Sequence, residues 1–114
     1  MNYTQEQVNA IVNEAKVAAR DAADKFFQER LGGQDQFACG FAWVDIYGVR
    51  GNTRLGKMLK AAGLERSDYK KCFSIWNPAD HNCQNVDTKE AGAYAAQKVF
   101  EKYGFRAYAG SRLD

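Results

Sequence analysis

Apolar residues recur at helical spacing through the first quarter of the chain. Val8, Val12, Ala15, Ala19, Ala22 and Phe26 fall four and three apart, with Ile11, Ala18 and Phe27 alongside. Thr4 followed by Gln7 forms a capping box and Gly32-Gly33 a stop, so the pattern predicts one long helix over 4–31. Alanine fills the middle of the stripe. Small side chains let a neighbour approach closely but contribute little buried area. Such a helix lies across a sheet or pairs with its copy in a second subunit.

The period then changes to two. Over 37–47 the odd positions are bulky (Phe37, Cys39, Phe41, Trp43, Tyr47, with Asp45 the exception) and the even ones small or branched. Both faces are apolar, which predicts a central strand covered on both sides. Asn52 is placed to cap a second helix running to about Ala62, stopped by Gly63 with Leu64 folding back on Leu59. Residues 71–76 read as a second strand. Asp87 with Glu90 predicts another capping box, opening a third helix to Tyr103 with Ala91, Ala95, Val99 and Tyr103 inward. Residues 105–109 read as a third strand, with Phe105, Ala107 and Ala109 on one face and Arg106 and Tyr108 on the other. The order α-β-α-β-α-β gives an α+β or small α/β domain. It has a long N-terminal helix over 1–31 and a βαβαβ unit over 37–114, with a three-stranded sheet covered by helices. Helical crossovers imply at least partly parallel pairing, with the last strand free to run antiparallel at an edge.

Composition narrows the class without naming a role. At 114 residues the chain is one domain. No apolar run approaches the roughly 20 residues of a membrane span, and residues 1–6 lack the basic-then-apolar pattern of a secretory signal. The expectation is a cytoplasmic protein with no membrane contact. Cys39, Cys72 and Cys83 are odd in number and widely spaced, and with a single histidine they make no zinc framework. No metal or cofactor is called for. Cys39 and Cys72 read as small core residues. The net charge of +2 conceals a basic centre: residues 48–71 hold Arg50, Arg54, Lys57, Lys60, Arg66, Lys70 and Lys71 against Glu65 and Asp68.

Three places carry candidate chemistry. Residues 76–87 hold the only proline and histidine, one cysteine, three asparagines and a glutamine. His81 and Cys83 invite comparison with a Cys–His nucleophile, with Asp45 as the orienting acid, acting on an acyl or thioester bond as a small hydrolase or transferase. The plain alternative is a structural loop whose amides satisfy their own backbone, with Pro78 fixing the turn. Second, Gly51-Asn52-Thr53-Arg54-Leu55-Gly56-Lys57-Met58 approaches the phosphate-loop pattern, but Met58 stands where a hydroxyl must bind magnesium. A softer reading remains, in which the start of the second helix and Arg50, Asn52, Arg54 and Lys57 bind a phosphorylated ligand or a nucleic-acid backbone. Trp43, Tyr47, Trp76 and Tyr108 would then supply stacking surfaces, and Asn82 and Gln84 would add polar contacts. Third, the alanine stripe of the first helix offers a homodimer seam, or a surface for a protein partner.

Residues 83–92, Cys83-Gln84-Asn85-Val86-Asp87-Thr88-Lys89-Glu90-Ala91-Gly92, and the ending Tyr108-Ala109-Gly110-Ser111-Arg112-Leu113-Asp114 resemble small uncharacterised proteins of tailed phages, marine ones among them. The resemblance implies an accessory or host-interaction role in the cytoplasm of the host cell, and no fold, substrate or catalytic residue. The leading expectation is a small phage-type binding protein that takes an anionic ligand or nucleic acid at a basic helix start. The Cys–His enzyme and the helix-paired dimer stand as alternatives.

Overall fold

Helix α1 (Gln5–Leu31) begins where the sequence places its cap: Thr4 accepts from the Gln7 N–H, and the Gln7 side chain accepts from the Thr4 N–H. A computed structural model describes all residues, 1–114. At 1.5 Å per residue the 27 residues of α1 run about 40 Å, matching the 43 Å long axis of the molecule. Then come β1 (Gly40–Tyr47), α2 (Arg54–Ala61), β2 (Glu65–Ser67), β3 (Cys72–Trp76), α3 (Val86–Lys102) and β4 (Arg106–Leu113). No helix is long and apolar enough to cross a membrane.

The architecture is α+β, with three helices and a four-stranded sheet in the order β2-β3-β1-β4. The sheet has four strands, not three, and every neighbouring pair is antiparallel rather than partly parallel. The missed strand, β2, is Glu65-Arg66-Ser67, which has no apolar alternation to announce it and exists only through its pairing with β3. β3 is inserted between β1 and β2 and runs against both, so β1-α2-β2 is a split β-α-β unit and β3-α3-β4 returns the chain to the far side of β1. β4 does lie antiparallel at an edge. Its Ala109 N–H is taken by the Gln97 side chain at 2.7 Å, which blunts that edge.

Helix starts also differ in detail. Thr53, not Asn52, caps α2 by accepting from the Gly56 N–H. Asn85, not Asp87, caps α3, its side chain accepting from the Thr88 N–H and hydroxyl. The buried face of α3 is Gly92, Ala93, Ala96, Val99 and Phe100, rotated from the expected one, with Ala91, Ala95 and Tyr103 half-buried.

The alanine stripe of α1 packs inside the same chain. Ala15, Ala19 and Ala23 have no exposed surface, and Gly92 of α3 sits so close that a Cβ there would meet Ala79 Cβ at 2.8 Å and Ala19 O at 3.0 Å. Side chains tie the C-terminal end of α3 to α1. Glu14 accepts from Lys102 and from Tyr103 Oη, and these donors hold its carboxyl below the ordinary carboxylate value. The core between helices and sheet gathers Val8, Ile11, Val44, Ile46, Leu59, Phe73 and Phe100.

β1 is central, as expected, but covered on one face only. Gly40, Ala42, Val44 and Ile46 face the helices and are buried, whereas Phe41 is exposed and Trp43 and Tyr47 are half-buried. Cys72 is fully buried; Cys39 is exposed, because residues 37–39 precede the strand instead of belonging to it.

Candidate functional site

The uncovered face of the sheet is built by register. Trp43 pairs with Trp76, Asp45 with Ser74 and Tyr108, Trp43 with Gly110, Phe41 with Arg112 and Tyr47 with Arg106. Paired residues point the same way. Phe41, Trp43, Tyr47, Trp76 and Tyr108 therefore share one surface with Arg106 and Arg112. Trp43 and Trp76 lie 5.1 Å apart at 40°, Phe41 meets Trp76 edge-on at 6.2 Å, and Tyr47 meets Tyr108 edge-on at 5.9 Å. Trp76 keeps 49% of its surface exposed and Tyr108 54%, which is unusual for side chains this large. From Phe41 to Tyr47 the aromatic track runs about 20 Å at strand rise.

Cations flank the rings. Arg112 stands 5.5 Å from the Phe41 ring centre, Arg106 6.0 Å from Tyr47 and Lys70 5.7 Å from Trp43. Neither Arg106 nor Arg112 has a carboxylate partner, so both keep their charge free. Lys89 is largely buried, donates to the Gly40 carbonyl at 3.0 Å and lies 5.5 Å from the Phe41 ring centre.

Asp45 sits at the middle of this surface, only 7% exposed. Its carboxylate accepts from Ser74 Oγ at 2.5 Å, Trp43 Nε1 at 3.2 Å and Lys70 Nζ at 3.0 Å. The Asp45 carboxylate in turn raises the pKa of the Lys70 ammonium. Trp43 is thereby anchored at its nitrogen. Its ring lies flat over Gly110, where a Cβ would come within 2.7 Å of the indole. Glycine is required there by the close approach of the ring.

Residues 77–85 serve the fold. Pro78 occupies the second position of a turn closed by the Asp80 N–H to the Asn77 carbonyl at 2.8 Å. His81 is buried against Phe27. Its Nδ1 accepts from the Cys83 N–H at 3.2 Å, which puts the ring proton on Nε2, facing Asp24 at 3.3 Å. Cys83 is buried, its Sγ faces the Asn85 carbonyl, and burial pushes its thiol pKa up. A nucleophilic cysteine needs the opposite shift. Asp45 belongs to the open sheet face, and no hydrogen bond links it to His81 or Cys83. The three residues of the Cys–His reading are not assembled. Asp35 accepts from the Gln84 and Asn85 N–H groups, fixing the segment from the other side. The Asn82 and Gln84 side chains are exposed and lie outside the aromatic face.

The expected helix-start site divides. Gly56 is required because a Cβ would lie 2.1 Å from the Arg50 carbonyl, and its N–H already donates to Thr53. This is a packing reason, unrelated to phosphate. Arg54 is committed to the Tyr3 carbonyl at 3.0 Å. Arg50, Asn52 and Lys57 do converge, with Lys60 and Arg66, on an open depression of about 560 Å³. No three His, Cys, Asp or Glu side chains gather as a metal site.

The sequence reading named four of the five aromatic residues as stacking surfaces. It missed Phe41, Arg106 and Arg112 as their companions; the alternation of Arg106, Tyr108, Gly110 and Arg112 with small residues was the available signal. No family model, curated protein or solved structure matches this chain.

Proposed function

We propose that this protein binds single-stranded nucleic acid across the open face of its sheet. The observation that carries the reading is the row of Phe41, Trp43, Trp76, Tyr47 and Tyr108, with Phe41, Trp76 and Tyr108 exposed, flanked by the unpaired guanidinium groups of Arg106 and Arg112. Bases stack on aromatic rings whatever their sequence, and cations along the track meet the phosphates. A four-stranded sheet whose central strands carry aromatic side chains is a recurrent surface for two or three unstacked bases, an analogy of architecture only. A paired duplex hides its base faces, so the surface favours single strands.

The test is a fluorescence titration with single- and double-stranded 15-mers, read through the tryptophans on the face. Trp76→Ala is expected to lose about 1–3 kcal/mol of single-strand affinity, roughly 5- to 150-fold. Its exposure makes a folding defect a minor concern. Equal binding of duplex and single strand, or an unchanged affinity in Trp76→Ala, would sink the stacking reading. A Trp76→Ala variant that alters self-association and leaves oligonucleotide binding alone would turn the face into a protein-docking surface.

A further inference from the structure

At one end of the sheet the positive charge turns a corner. Tyr47 ends β1 opposite Arg106, and β2, parallel to β1, ends there too, next to Asp68. On the open side of this end stand Lys70 and Arg106. On the helix side Arg66, in register with Phe73, leans over that ring at 5.0 Å. Its guanidinium donates to the Val49 carbonyl at 2.7 Å and to Asp68 at 3.1 Å. Arg66 is thus held in place, and the one nearby acid is engaged by it. Around it the depression of about 560 Å³ is walled by Arg50, Gly51, Asn52, Lys57, Lys60 and Asp68, with no apolar side chain, and Asp68 is the one acid among them. Arg50, Lys57 and Lys60 have no carboxylate partner. Three free cations and an amide around an open hollow, with a fixed guanidinium that engages its one acid, match the charge and hydrogen-bonding demands of phosphate oxygens.

We infer that this depression is a phosphate site, and, resting on the reading of the sheet face, that it holds the backbone of a strand as it leaves that face. The same oxygens are offered by free polyphosphate, so the experiment has two arms. In the first, salt titrations compare a trinucleotide and a 15-mer on the native protein and on Lys57→Gln/Lys60→Gln, both exposed positions. A single strand contributes about 0.7 to the salt slope for each neutralised phosphate. The double variant is expected to lower the 15-mer slope by about 1.4, roughly 25-fold in affinity at about 0.1 M salt, and to leave the trinucleotide unchanged. In the second arm, inorganic tripolyphosphate is tested for thermal stabilisation and for competition with the 15-mer.

Stabilisation by tripolyphosphate that the double variant abolishes, with the 15-mer slope unchanged, assigns the site to free phosphate chains. An unchanged slope together with no tripolyphosphate effect overturns the site. Loss in Lys57→Gln/Lys60→Gln with no loss in Trp76→Ala would remove the sheet-face reading and keep the depression; the reverse would do the opposite.

Discussion

Asp45 shows how one side chain sets the charge of a surface. It is the only acid along the aromatic track of β1 and it holds Lys70 at 3.0 Å, so the two charges cancel where a strand would cross. Asp45→Asn keeps the shape and an acceptor for Ser74 but releases the ammonium. Single-strand binding is then expected to tighten, on the order of fivefold at about 0.1 M salt, with a slope steeper by about 0.7. Salt titrations of the two proteins check this, and a weaker or unchanged affinity would count against phosphate contact at Lys70. The sequence shows Asp45 as the one acid among the bulky positions of the strand, and Trp43 is one of the donors it meets. It does not show Lys70, which arrives from a hairpin 25 residues away. Alternation can put Arg106 and Arg112 on one face of a strand, but the rings they meet are hidden for a similar reason. An arginine in an edge strand reads as a solvated charge until the neighbouring strand puts a ring beneath it.

Elements are legible where their signals are local. The capping box at Thr4 and the glycine stop after Leu31 bound α1 within the chain's own turns, and the period-two stretch marks β1. Facing is another matter. Periodicity says that α1 has a small-residue stripe; it does not say that α3 of the same chain fills it. Gly92 makes the point testable. In a helix, replacing glycine by alanine ordinarily gains about 1 kcal/mol. Here the added methyl would meet Ala79 Cβ at 2.8 Å and the Ala19 carbonyl at 3.0 Å. Gly92→Ala is expected to destabilise instead, by about 1–3 kcal/mol of overpacking, seen as a lower Tm and urea midpoint. A gain in stability would mean that α1 and α3 pack less closely than this. β2 was hidden for the complementary reason: three polar residues have no period, and only β3 makes them a strand.

On the scale of the whole molecule, every helix lies on one side of the sheet. The expectation of cover on both faces of β1 fails because all the connecting helices return to the same side, leaving the bulky odd positions bare. That asymmetry follows from connectivity, which composition does not reveal. It also separates two bodies of residues: a helical side whose caps, alanines and polar loop maintain the fold, with the basic depression at one end of it, and a sheet side with rings and with arginines that have no carboxylate partner. Because the sheet side is already shaped, with its indole anchored and its charges in place, a strand would land on it without waiting for any loop to open. Capture would then be governed by encounter. Association approaching about 10⁸ M⁻¹s⁻¹ at low salt is expected, with rates linear in oligonucleotide concentration. The difference between the native protein and Trp76→Ala should appear in how long the strand stays. Stopped-flow traces that level off at high concentration would instead reveal a surface that must rearrange before it can receive anything.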